Sequence, residues 1–143
     1  MKTILDKTLV MQRDSKQANI VYTIIAVIVA IAMLIAASGA GTETYATGEP
    51  TLGRLILDNG GNVLAVIFAV LVLIPRTRIV GAISAVILMF ISMYLNYTLD
   101  GIEFFARAIP YNTITIMLAS ILTGHYFEDL RYLFRPALNP QVA

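Results

Sequence analysis

Between Lys16 and Glu43 the chain carries no charged side chain, and the stretch from Asn19 to Ala37 is almost wholly apolar. Such a run matches the roughly 20 helical residues needed to cross a hydrocarbon core about 30 Å thick. Three more charge-poor stretches follow, between Asp58 and Arg76, between Arg78 and Asp100, and between Arg107 and Glu128. Composition agrees: 58% of the 143 residues are hydrophobic and 13% are charged, whereas soluble domains are about 25% charged. The mean hydropathy is +0.79. The expectation is an all-α integral membrane protein, a single membrane domain over residues 1–143. Its fold class is an antiparallel bundle of four transmembrane helices at about 19–37, 61–75, 79–99 and 108–127, with amphipathic interfacial segments at both ends.

The second span is the shortest, with an apolar part from Val63 to Ile74 that follows the turn signature Asp58-Asn59-Gly60-Gly61. Ahead of it, Pro50 to Leu57 reads as a short helix lying in the interface. The alternative is one tilted helix from Pro50 to Ile74, broken at Asp58 and the glycine pair. Pro75-Arg76-Thr77-Arg78 is long enough only to reverse the chain, so spans two and three form a hairpin, and spans three and four are neighbours by the same reasoning.

Basic residues orient the bundle, because Lys and Arg near span ends favour the cytoplasmic side. Lys2, Lys7, Arg13, Lys16, Arg76, Arg78, Arg131 and Arg135 fall on one side, against Arg54 and Arg107 on the other. Both termini are therefore expected in the cytoplasm, with the chain multi-pass in the cytoplasmic (inner) membrane. Ala36-Ala37-Ser38-Gly39-Ala40 has the small residues of a cleavage region, but the run before it exceeds the usual h-region of about 7 to 15 residues. The first span is expected to stay as a signal anchor.

Residues 1–17 form the N-terminal interfacial helix. Ile4, Leu5, Thr8, Leu9 and Met11 fall on one half of a helical projection, and Lys2, Asp6, Lys7, Arg13 and Asp14 on the other. The same amphipathic face also suits packing on a partner subunit. After the fourth span, aromatic and charged residues alternate up to Arg135, an interfacial pattern, and residues 128–143 form a cytoplasmic tail.

Each span carries two small residues four apart: Ala26/Ala30, Ala65/Ala69, Gly81/Ala85 and Ser120/Gly124. Such pairs let helix backbones approach in lipid, where packing drives association. Gly81, Ala85, Ser120 and Gly124 are taken as the packing residues.

Chemistry is sparse. With no cysteine, no tryptophan and one histidine, one copy of the chain cannot assemble a thiolate metal site, a cysteine-held cluster or a two-histidine haem site. No Asp, Glu, Lys or Arg lies in the middle of a span, which argues against a proton relay, an ion-coupled transporter or a voltage sensor. A net charge of +1 offers no field for nucleic acid. His125 shares a helix face with Glu128 and Asp129, a set too small for a closed metal site; the residue reads as an interfacial histidine or as a ligand to a group held by a partner. The other polar concentration is on the outer side, where Asn62, Asn96, Tyr97, Arg107 and Asn112 cluster. They serve either as interhelical hydrogen bonds or as the mouth of a site for a quinone or lipid head group.

The layout of one span, a longer outer loop and three tightly connected spans is similar to that of the small four-span DoxX-like membrane proteins, a likeness of topology from which no residue role is carried over. The function expected is an accessory, non-catalytic subunit of a larger respiratory, oxidase or photosynthetic membrane complex. Its partners are membrane lipids and other integral membrane subunits, and no cofactor is held by the chain alone. The alternatives are a binding or transfer protein for a small lipophilic molecule, with a bound lipid or quinone, and a holin-like homo-oligomer.

Overall fold

A computed structural model of the chain describes residues 10–37 and 52–134. Helix α1 (Val10–Arg13) is followed by α2 (Lys16–Ala37), α3 (Leu52–Leu73) and α4 (Arg78–Leu95). A π-helical turn (Asn96–Asp100) then leads into α5 (Ile102–Phe134). No strand occurs among the described residues. Lys16–Ala37, Arg78–Thr98 and Phe105–Leu130 are long and apolar enough to cross a membrane, while the apolar part of α3, Asp58–Leu73, is shorter. Each long helix packs on the next and α2 packs on α5, so the four close into a ring of alternating direction.

Local chemistry explains where these helices start and stop. The Ser15 hydroxyl accepts the Ala18 N–H at 3.2 Å, a cap that satisfies one of the unpaired donors of α2's first turn. Gly101, with φ 88°, takes the left-handed conformation that costs other residues a Cβ clash. The chain reverses there at once, so α5 begins at Ile102 rather than near Ala108. Pro110 therefore lies inside the helix, at the cost of one backbone donor. At its other end α5 runs on past Phe127 to Phe134.

The turn signature at Asp58 to Gly61 does not interrupt the chain. One helix runs from Leu52 to Leu73, so the separate interfacial helix before it is corrected to a continuous α3. Two glycines each weaken a helix by about 1 kcal/mol relative to alanine; the helix continues through them with open space beside both, and its buried positions, Ala65, Ala69 and Val72, lie beyond them toward its C-terminal end. Of the amphipathic N-terminal segment, Val10 to Arg13 is helical, whereas residues 1–9 lie outside the described residues, as does the tail from residue 135.

Inside the ring, buried positions recur at alternating spacings of three and four. On α5 they are Asn112, Thr115, Ala119, Leu122, Tyr126 and Asp129; on α4 they are Arg78, Ala82, Ala85 and Met89, with Ile79 and Gly81 buried alongside; on α3 they are Ala65, Ala69 and Val72. This is the seam spacing of shallow left-handed helix packing. The inner side chains are mostly small, and the outer ones large and apolar, among them Ile24, Ile31, Val70, Phe90 and Met117, each half or more exposed. A water-soluble bundle has the opposite arrangement, whereas close backbone approach between small residues is how helices associate in lipid.

Two of the expected small-residue pairs behave differently. Gly81 and Ala85 are buried, and a Cβ at Gly81 would lie 2.5 Å from the Val72 backbone nitrogen and 2.8 Å from the Leu71 carbonyl carbon. Ser120 and Gly124 are exposed, and a Cβ at Gly124 would meet nothing within 4 Å. Their assignment as packing residues is corrected: the seam of α5 runs through Ala119, Leu122 and Tyr126, which turns positions 120 and 124 outward. Gly81→Leu is accordingly expected to displace α3 from α4 and cost more than the roughly 1–3 kcal/mol usual for overpacking, because the obstruction is backbone. Gly124→Leu should leave thermal unfolding in detergent unchanged; equal midpoints for the two variants would contradict this packing.

Candidate functional site

Polar side chains converge at the end of the bundle where the α3–α4 turn, the start of α2 and the last turns of α5 meet. Pro75 follows the end of α3, whose final carbonyls lack intrahelical donors. The two residues that reverse the chain supply them. The Thr77 hydroxyl donates to the Leu71 carbonyl at 3.0 Å. Arg78 Nε donates to the Val72 carbonyl at 3.0 Å and Nη2 to that of Leu73 at 3.4 Å. The guanidinium thus sits at the negative end of the helix dipole, where a cation is favoured.

Arg78 is 2% exposed, and its remaining contact crosses the bundle. Nη1 donates to the Tyr126 hydroxyl at 3.0 Å, with the guanidinium carbon 5.3 Å from the ring centroid, inside the range of a cation–π attraction. Tyr126 meets His125 edge-on at 4.8 Å and Tyr22 edge-on at 6.1 Å. The His125 imidazole lies flat on the Tyr22 ring, centroids 3.5 Å apart and planes 10° from parallel. Its Nε2 is 2.6 Å from Asp14 Oδ2.

The imidazole and two carboxylates on α5 do share a face, and each is committed to the N-terminal segment. His125 meets Asp14, Glu128 pairs with Arg13 at 2.8 Å, and Asp129 Oδ1 accepts the Val10 N–H at 2.8 Å. Among the described residues no group of three or more His, Asp or Glu side chains is arranged to hold a metal ion. The cluster fastens three separate parts of the chain to one another through one imidazole, two guanidiniums and three carboxylates.

The residues expected at the opposite end do not assemble in the same way. Asn62 and Asn96 are half-buried, while Tyr97 and Arg107 are exposed. The Tyr97 ring packs edge-on against Phe105 at 5.3 Å. Asn112 is buried, and its amide nitrogen has no partner. Among the described residues no hydrogen bond joins any two of these five, so the expected Asn96–Asn112 contact is corrected. Asn112 lies on the inward seam of α5, whereas Asn96 begins the π-helical turn, whose wider winding shifts the register of the side chains around it. The link across the bundle at this level is instead the Tyr111 hydroxyl, which donates to the Ala32 carbonyl.

Arg78 is the residue that inspection of the sequence missed, because its place in a four-residue turn suggests an exposed charge. A signal was present: Arg78, Ala82, Ala85 and Met89 have seam spacing, whereas Arg76 is out of phase and is exposed. Tyr22 and Tyr126 are likewise in phase with Ala26 and Leu122. Comparison with protein-family models, with curated proteins and with solved structures finds no match to this chain. The described residues make an all-helical bundle in which three helices are long and apolar enough to cross a membrane.

Tyr126→Phe removes the phenolic acceptor from a charged donor and is expected to lower stability by about 1.5–3 kcal/mol. Arg78→Ala should cost more, because it also strips two α3 carbonyls of their donors. Unfolding of both variants and of the double variant in detergent checks this. Additive losses would show that the Arg78–Tyr126 bond contributes nothing.

Proposed function

We propose that the chain is a four-span protein of the cytoplasmic membrane, with both termini in the cytoplasm. It serves as a non-catalytic accessory subunit of a larger membrane complex, contributing through helix packing and assembly. Its partners in this reading are membrane lipids and other integral subunits, and it holds no cofactor of its own. The observation that carries the reading is the use made of the ionisable side chains at the polar end. Arg78 caps α3 and reaches Tyr126, while His125, Glu128 and Asp129 hold residues 10–14. These groups are engaged in holding the bundle together, the role of a scaffold. The large apolar side chains around the ring offer a surface to lipid or to the helices of other subunits.

Four crossings require α3 to span with its apolar part, about 24 Å at 1.5 Å per residue, somewhat short of the hydrocarbon thickness. Local thinning of the bilayer and snorkelling of flanking residues absorb a mismatch of that size at a modest cost. The placement of the termini rests on the basic residues. Residues 10–14, the α3–α4 turn and the end of α5 share one end of the bundle, so Arg13, Lys16, Arg76 and Arg78 lie together there, as the excess of Lys and Arg in cytoplasmic segments requires. The chain has no native cysteine, so single replacements report sidedness directly. Arg76→Cys should react with an impermeant thiol reagent only after the membrane is opened, and Glu103→Cys in intact cells. External reaction at position 76 would overturn the four-span arrangement.

One observation favours a second reading, a binder of a small lipophilic molecule such as a quinone or lipid. The Asn112 amide nitrogen is buried with no acceptor, a state costing about 1–3 kcal/mol that a bound carbonyl or head group would relieve. Purification from native membranes in mild detergent separates the possibilities. Co-migration with larger membrane subunits is the expected result. An isolated chain carrying a lipophilic molecule would establish the second reading, and a homo-oligomeric ring would point to a pore-forming assembly.

A further inference from the structure

Five consecutive residues, Val10 to Asp14, rest on the last turns of α5 through three of its side chains, His125, Glu128 and Asp129. The contacts differ in their access to water. Arg13 and Glu128 are 48% and 60% exposed, so their attraction is screened by salt. The His125 and Asp14 side chains are 20% and 12% exposed, and Asp129 is 2% exposed. All three contacts are polar, and the Val10 side chain joins the core.

Two features separate this segment from the helix that follows. The chain is not helical at Asp14 and Ser15. Helix α2 also starts on its own cap, the Ser15 hydroxyl bound to the Ala18 N–H, so its first turn does not depend on what precedes it. We infer that residues 10–14 form a hinged strap, closed onto α5 by Asp129, His125 and Glu128, that opens about Ser15 while the four long helices stay packed. Opening returns the Asp129 carboxylate and the Val10 N–H to water, where both find new hydrogen-bond partners. It also leaves His125 stacked on Tyr22, a contact within the bundle itself. The open form presents an imidazole and two carboxylates on one face of α5, and the closed form covers His125 and Asp129.

Amide hydrogen exchange on the full chain in phospholipid nanodiscs tests the device. In the wild type, the Val10 amide, held by Asp129, should be protected, yet exchange at least about tenfold faster than those of residues 26–33 in the middle of α2. Raising the salt should speed the former and leave the latter unchanged. In the Glu128→Gln/Asp129→Asn double variant, exchange at Val10 should rise by a further tenfold or so, the loss expected when a charged acceptor is neutralised, again with α2 unchanged. Exchange of the Val10 amide in step with α2 in the wild type would overturn the proposal, since the segment would then open only with the bundle. Exchange at the unprotected rate would overturn it equally, since the strap would not be closed. The wild-type comparison decides the matter even where the double variant fails to fold.

Discussion

A single buried guanidinium joins the elements on which the remaining structure depends. Arg78 is at once the first residue of α4, the cap on the last carbonyls of α3 and the donor to Tyr126 on α5. A positive charge is costly to bury unless it is hydrogen-bonded and held in a favourable field. Here the carbonyls at the end of α3 supply both, since they are unpaired acceptors and the negative end of a helix dipole. The α3–α4 hairpin is tight for the same reason: with Thr77 and Arg78 donating back into α3, the chain turns without leaving those acceptors bare. That turn sets the register in which Gly81 meets the backbone of Val72.

Around this joint, the distribution of side chains is the one expected of a bundle that sits in lipid. In lipid, large apolar residues gain little by moving inward, and helices associate through close packing and a few interhelical hydrogen bonds. The seam accordingly holds Ala26, Ala30, Ala65, Ala69, Ala82, Ala85 and Ala119 beside a few larger side chains such as Val29, Met33, Val72, Ile79 and Leu122, while most Ile and Val side chains lie outside. Hydroxyls within the helices bond back to the preceding turn, as Thr115 does to Tyr111 and Thr123 to Ala119, which meets their hydrogen-bonding needs without a partner helix. The strong polar contacts concentrate at one end, where Asp14, Tyr22, Arg78, His125 and Tyr126 meet.

What was legible in the sequence followed from long, local signals. The apolar runs and their short connections place the helices and their neighbours, because backbone groups in a hydrocarbon layer have almost no choice but a helix. Signals a few residues long were less dependable. Asp58-Asn59-Gly60-Gly61 has turn chemistry yet lies within α3, since each glycine weakens a helix by only about 1 kcal/mol and does not forbid it. Ser120 and Gly124 have the spacing of a packing pair, as Gly81 and Ala85 do, but only the second pair is in phase with a seam. The outer asparagines share a depth and nevertheless fail to meet, because depth along a bundle leaves the direction of a side chain around its helix open.

Taken alone, the sequence determined that the chain is helical, that its long apolar runs suit a membrane, and that short turns force neighbouring helices to run antiparallel; the helices of the structure are long and apolar enough for a crossing at three places, where the runs had suggested four. Those properties depend on composition, run length and loop length, which are local and additive along the chain. Only the tertiary structure decided which face of each helix turns inward. It thereby placed Arg78 in the core and Ser120 and Gly124 on the outside, and gave His125, Glu128 and Asp129 to a segment more than a hundred residues earlier in the chain. That choice depends on how four helices interlock at once. One helix's register is fixed by the backbones and polar groups of its neighbours, a property that no single stretch of sequence contains.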